Sequence, residues 1–440
     1  MSIVFLASSL AWAGVKPKIS VSAKEITFRH SDRAALVNKW GLWGAVSLGQ
    51  ALSTYTGTCK KEAASVPNYS RPIPSDPTGM SSTAKALIGR IVLGWNLGNT
   101  LEVPGNETGW GNAFTTKRLI DSVKAAGFNA VRLPCAWNSY LEDTVAYKIK
   151  ASWLSRVKQV VDYCYNNNMY VVINIHWDGG WLENNCTPAK QKVNNVKQRA
   201  LWEQIAVTFR DYDEHVLFAG CNEPNVKNAT EMSVLLSYEQ TFINAVRSTG
   251  GRNTYRTLIV QGPNTSTENT MQYMATLPTD ATANRLAFEV HDYTPFQFSL
   301  LDSDADWGKM FYFWGKDYHQ PLVDGINRNA GAWGDEKHIA GEYAKMKAKF
   351  IDKGYPVIIG EFGAMRRLSL TGDNLAKHLA SRNYYLQYVV KTAKNYGLAP
   401  FYWDAGYTGD KGSGLFDRGT GAVADRQALN SLMTGASEGR

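Results

Sequence analysis

Val216-Leu217-Phe218-Ala219-Gly220-Cys221-Asn222-Glu223-Pro224 is the stretch on which the fold turns. Its first four residues form a short apolar run rich in branched and aromatic side chains, the pattern of a buried strand. The run ends on a side-chain amide and a carboxylate, and Pro224 stops it. Far downstream the pattern returns as Pro356-Val357-Ile358-Ile359-Gly360-Glu361-Phe362-Gly363, another apolar run that ends on an acid. Working outward, similar runs occupy Ile91–Asn99, Asn129–Pro134, Tyr170–His176, Thr257–Gly262, Leu286–Tyr293 and Pro400–Asp404. Helical patterns lie between them, at Thr115–Ala126, Ser152–Asn166, Val193–Tyr212, Glu231–Thr249, His338–Lys353 and Asn374–Asn395. Eight strands alternating with helices predict an α/β protein, a (β/α)8 TIM barrel. A doubly wound open sheet is the alternative. The barrel is preferred because polar residues recur at most strand ends, where a barrel gathers them at one mouth.

Those ends are Asn96 and Asn99, Arg132, His176 with Asp178, Asn222 with Glu223, His291 with Tyr293, Glu361, and Trp403 with Asp404. Two acids at the C-terminal ends of buried barrel strands suit work on a glycosidic bond. A second reading makes His176, Asp178, Glu223, His291 and Glu361 ligands of a divalent metal in a hydrolase. No HxH or HxxxH pair lies on one element, which argues against it, and no metal or cofactor is expected. A third reading, a non-catalytic sugar-binding barrel, has no need of both Glu223 and Glu361.

The 440 residues carry a formal net charge of +8, which invites a nucleic-acid partner. Residues 1–90 hold 11 Lys/Arg and 4 Asp/Glu, whereas the rest hold 36 and 35. The main domain is therefore nearly neutral, and no polyanionic partner is expected. Aromatic content is high, with 14 Trp and 22 Tyr, as in proteins that stack sugar faces on flat rings. Cys59, Cys135, Cys164, Cys186 and Cys221 show no CxxC spacing. Cys135 and Cys221 read as small core residues, and the four beyond the leader leave three disulfide pairings open.

Residues 1–58 read as an export signal or leader with an uncertain start, and Cys59 as a possible lipid anchor. No other apolar stretch reaches about 18 residues, so no membrane span is expected. Residues 59–80, with Pro67, Pro72, Pro74 and Pro77, read as an extended, mobile tether. The catalytic domain is then 81–440, exported to the cell surface or medium as a monomer. Between Tyr293 and His338 runs a long connection with Phe296, Phe298, Phe311, Tyr312, Trp307, Trp314 and Trp333. It is expected to wall an open cleft, with about half of its rings pinning the loop to the barrel.

From Ile91 onward the chain resembles glycoside hydrolase family 5, the retaining cellulase family. The resemblance rests on Gly94-Trp95-Asn96-Leu97-Gly98-Asn99-Thr100, Val131-Arg132-Leu133-Pro134, Asn174-Ile175-His176-Trp177-Asp178 and Asn222-Glu223-Pro224. It continues through His291-Asp292-Tyr293, Gly360-Glu361-Phe362-Gly363 and Phe401-Tyr402-Trp403-Asp404. It implies Glu223 as general acid/base and Glu361 as nucleophile. It further implies substrate-binding roles for Asn96, Arg132, His176, Asn222, His291, Tyr293 and Trp403. Arg132 and Tyr293 would hold Glu361 ionised, Asn222 would bond the sugar 2-hydroxyl, and Trp403 would floor the subsite before the cut. Trp177 stands where many members carry a second His, and is expected in the cleft wall. The implied activity is a secreted endo-β-1,4-glucanase on β-glucan polysaccharide. A β-mannanase or a xyloglucan- or mixed-linkage-glucan-active enzyme is the alternative.

Overall fold

The computed structural model describes residues 66–440. Eight parallel strands close into a barrel: β1 (Gly94–Leu97), β2 (Ala130–Leu133), β3 (Tyr170–Asn174), β4 (Val216–Ala219), β5 (Leu258–Gln261), β6 (Leu286–Asp292), β7 (Val357–Phe362) and β8 (Leu398–Asp404). Each pairs with its neighbours in sequence, and β8 returns to β1. Eight helices wrap the outside: α1 (Lys117–Ala125), α2 (Ala151–Tyr165), α3 (Pro188–Thr208), α4 (Ala229–Ser248), α5 (Thr267–Tyr273), α6 (Glu336–Lys349), α7 (Gly372–Asn395) and α8 (Arg426–Glu438). The expected barrel is present, with all eight strand runs in place.

Alternation along each strand divides the core in two. Ala130, Val172, Leu217, Ala219, Ile259, Ala287, Ile358 and Phe401 fill the barrel interior, joined by Leu87 and Ile88 of a short helix at Ala84–Ile88. The other face, including Val131, Val171, Phe218, Val260, Phe288 and Ile359, packs against the helices. The polar ends of the strands are thereby left to crowd one mouth.

A β-bulge at that mouth aims the second acid. Val290 lies opposite Ile359, but His291 lies opposite Glu361, so Gly360 is the extra residue. Only glycine fits there, because a Cβ would sit 1.8 Å from Glu289 Oε1. The bulge sets His291 and Glu361 side by side.

Residues 66–80 correct the tether reading. Ile73–Ser75 forms a parallel pair with Gly250–Gly251, and the Tyr69 amide donates to Glu203. Arg210 donates to the Arg71 carbonyl, and Met80 is buried. The prolines keep this segment extended, as expected, but arginines on the barrel satisfy its carbonyls and pin it. The expected leader at 1–58 and Cys59 lie outside the described residues. No described helix is long and apolar enough to cross a membrane. The four described cysteines are unpaired and buried, so none of the three pairings forms.

Candidate active site

Arg132, projecting from β2 into the mouth, is the cation around which the site is built. Its Nη1 donates to Glu361 Oε1 at 2.9 Å and to Asn96 Oδ1 at 3.0 Å. Its Nη2 donates to Asn222 Oδ1 at 2.7 Å, and its Nε lies 2.9 Å from Glu289 Oε1. Arg132 and Asn96 are both 0% exposed. Neither reaches substrate, which corrects the substrate-binding role implied for them. They are positioning residues: Asn96 also donates to the Gly360 carbonyl at 2.8 Å, tying β1 to the bulge beneath the nucleophile.

Glu361 receives a second bond on Oε2, from the Tyr293 hydroxyl at 2.9 Å. Burial raises its pKa above the ordinary carboxylate value, and the charges of His291 and Arg132, with the Tyr293 bond, offset that rise only in part. Arg132 cannot give up its proton at any working pH, so an ionised Glu361 always finds its partner.

On the opposite wall, His291 Nδ1 lies 2.7 Å from Glu223 Oε1 and 3.7 Å from Glu361 Oε2. Its Nε2 lies 3.2 Å from Glu289 Oε1. Burial alone would lower His291, but Glu361, Glu223 and Glu289 outweigh it and push the imidazole up to about 10. In the open site the ring is thus a cation donating from both nitrogens. Burial favours a protonated Glu223, but this cation overrides it and lowers the carboxyl. A proton moved along the 2.7 Å bond converts Glu223 to the acid form and leaves neutral His291 still bonded to Glu289.

An oxygen of Glu223, an oxygen of Glu361 and a nitrogen of His291 lie within 4.8 Å of one another. That suits a retaining pair, whose carboxyl groups sit about 5–5.5 Å apart, and not the roughly 6.5–9.5 Å of an inverting one. The trio has the donor types for a metal ion, but as a cation facing carboxylates from both nitrogens the open-site His291 ring has no lone pair to offer.

Asn222 accepts from Arg132 through its oxygen, and its NH2 group faces the Glu183 carboxyl, whose pKa it helps to lower. His176 accepts from the Asn174 amide on Nδ1, and burial with the nearby Arg132 charge holds it neutral. Its ring stacks on Trp403, centroids 5.8 Å apart and planes 8° from parallel. Trp177 is 42% exposed just beyond β3. Asp178 and Asp404, also at strand ends, serve the scaffold. The first accepts from the Trp137 and Ser139 amides, the second from Trp95 Nε1, the Leu415 amide and Arg418.

Three site residues escaped the sequence reading. Glu289 touches both Arg132 and His291, and Gln261 donates to it at 2.6 Å. Glu183 takes the Glu223 backbone N–H at 2.7 Å, and burial pushes its carboxyl up to about 7. Glu289 had a visible signal: it stands two residues before His291 on one strand, hence on the same face.

Two carboxylates at this spacing, one bonded to a proton donor and the other held by Arg132 and Tyr293, define a glycoside hydrolase that works through a covalent intermediate. The chain belongs to glycosyl hydrolase family 5, the cellulase family, whose description fits residues 96–409. It is 39% identical to a xyloglucan-specific endo-β-1,4-glucanase of Bacteroides ovatus, over 86% of this chain and 75% of that protein. It is 36% identical to an endoglucanase A of Paenibacillus barcinonensis, over 81% of this chain and 90% of the relative. Among solved structures, a Bacteroides ovatus family 5 xyloglucanase with a bound XXXG heptasaccharide superposes with a TM-score of 0.77 at 38% identity, covering 85% and 81% of the two chains.

Proposed function

We propose that this protein is an exported, monomeric endo-β-1,4-glucanase that cuts internal backbone bonds of xyloglucan and related β-glucans with net retention. The observation that carries the reading is the trio of Glu223, His291 and Glu361 within 4.8 Å. Glu361 attacks the anomeric carbon and forms a glycosyl ester as the bond to the leaving oxygen breaks. Glu223 gives that oxygen its proton. Water then attacks the same carbon, Glu223 takes the water's proton, and Glu361 leaves as the carboxylate. The Asn222 amide is placed to bond the 2-hydroxyl, a contact that strengthens in the transition state. Xyloglucan is favoured as the polymer by the 39% identity to a xyloglucan-specific relative. Export is supported by the apolar, basic leader and by a polymeric substrate that meets the enzyme outside the cell.

Release of reducing ends from xyloglucan, mixed-linkage glucan, carboxymethyl cellulose and mannan tests the reading, with NMR of the first-formed anomer. Early β-anomer from xyloglucan with a rapid fall in viscosity is expected. Early α-anomer, or activity on mannan alone, would overturn it.

A further inference from the structure

The side chain of Glu223 is 43% exposed, and its carboxyl bonds only to His291 among the described residues. Packing therefore does little to aim it, and its direction depends on the backbone that carries it. Pro224 follows and has no N–H, so that backbone cannot be tied down there. The amides on either side of the proline both go to one residue. The Glu223 N–H donates to Glu183 Oε1 at 2.7 Å, and the Asn225 N–H donates to the Glu183 backbone carbonyl at 2.8 Å. The NH2 of Asn222 faces the same carboxyl. Glu183 is itself anchored in the connection after β3. It opens a 3-10 turn, Glu183–Asn185, whose last carbonyl accepts from the Tyr238 hydroxyl on α4 at 2.8 Å. The Asn185 side-chain amide donates to the Gly180 carbonyl at 3.0 Å. Burial and then the charges of Glu223 and Glu361 disfavour an ionised Glu183, while the Glu223 N–H and Asn222 favour it. A carboxyl in that place costs stability. What it supplies is a pair of acceptor oxygens at the foot of the acid, where an amide has one.

We propose that Glu183 is the positioning residue of the general acid/base, fixing the backbone from which Glu223 reaches the departing oxygen and orienting Asn222 beside it. The inference rests on the glucanase reading and deepens it. Glu183 touches no reacting atom. An asparagine NH2 carries two hydrogens, so one turned to Glu183 leaves the other for the sugar 2-hydroxyl.

The test uses Glu183→Ala, which removes both acceptor oxygens, and Glu183→Gln, which keeps one for the Glu223 N–H and turns an NH2 toward that of Asn222. Two aryl β-cellobiosides are compared, one with a dinitrophenyl group that departs without a proton and one with a phenyl group that needs it. Expected is unchanged kcat/KM on the first, with a loss of about tenfold to hundredfold on the second and on xyloglucan, larger for Ala than for Gln. On the dinitrophenyl substrate kcat and KM should fall together, because the ester forms normally and then waits for its base. Azide, which needs no base, should restore that kcat. A merely structural role would lower every substrate alike and leave azide without effect. That result would overturn the proposal, as would unchanged kinetics on both cellobiosides in variants that keep the wild-type Tm. A wild type that cleaves neither cellobioside would overturn the glucanase reading itself, whereas an active wild type with evenly impaired variants would overturn only the role given to Glu183.

Discussion

Removing either catalytic carboxyl separates their duties. Glu361→Ala cannot form the ester, so turnover on glucan should fall to background. Glu223→Ala should lose about 10²–10⁴-fold on polysaccharide and far less in ester formation from an activated aryl cellobioside. Azide should then free the stalled ester of the Glu223 variant as the β-glycosyl azide. In the Glu361 variant azide attacks from the vacated side and gives the α-azide. NMR of the products decides, and swapped anomers would exchange the two labels. His291 allows a second test. Its pKa, raised to about 10, lies above an unfolded value near ~6.5. Its contribution to stability is therefore complete below ~6.5 and is lost as pH rises through about 10. Glu289→Gln removes one of the anions that sustain this, so the Tm gap between wild type and variant should narrow from pH 6 to pH 10. A gap of constant size would reduce Glu289 to a packing role. Glu223, Glu361, His291 and Tyr293 were legible in the sequence because each stands at a strand end where polar residues have no packing reason to be. Glu289, Gln261 and Glu183 were not, since their roles depend on which strands are neighbours and on a bulge at Gly360. The burial of Asn96 and Arg132 was hidden for the same reason.

Among the elements, the segment before the barrel and the long connection after β6 carry the clearest tests. A chain beginning at Ser81 loses the Ile73–Ser75 strand pairing, the Tyr69–Glu203 bond and the buried Met80. It should melt several degrees below one beginning at Val66, whereas equal melting would restore the tether reading. Within the long connection the aromatic rings divide as expected. Phe298 and Trp314 are fully buried, and Trp314 Nε1 donates to the Gly334 carbonyl. Trp307 is 66% exposed, and Phe296 and Trp333 also face solvent. Trp314→Ala should cost about 3–5 kcal/mol in denaturant unfolding, while Trp307→Ala should stay within about 0.5 kcal/mol. Composition revealed that the loop was ordered. It did not reveal which ring was which, because burial there is set by α7 residues such as Ser381, Tyr384 and Tyr385 that meet Trp314 from far along the chain.

At the scale of the molecule, eight apolar runs spaced by helices were enough to read the barrel, since a parallel sheet buried on both faces leaves that pattern. The helix Ala84–Ile88 that enters the interior was not read, being too short to show a period. Nor were free thiols distinguishable from bridged ones. Burial pushes Cys186 up to about 12 and keeps Cys164 and Cys221 protonated as well. A reducing agent should accordingly leave the Tm of the molecule unchanged, and a drop would reveal a bridge. The base of the cleft and its rim are made differently. At the base, Arg132, Glu289, His291, Asn96 and Glu361 are interlocked and buried, and losing one partner strands another at a cost of about 3–5 kcal/mol. At the rim, Trp177, Trp307 and Trp333 stand in solvent and can change with little effect on folding. Descent with modification therefore has two tempos here. A lineage can drift in diet, one tolerated rim substitution at a time, while inheriting its chemistry as a single indivisible block.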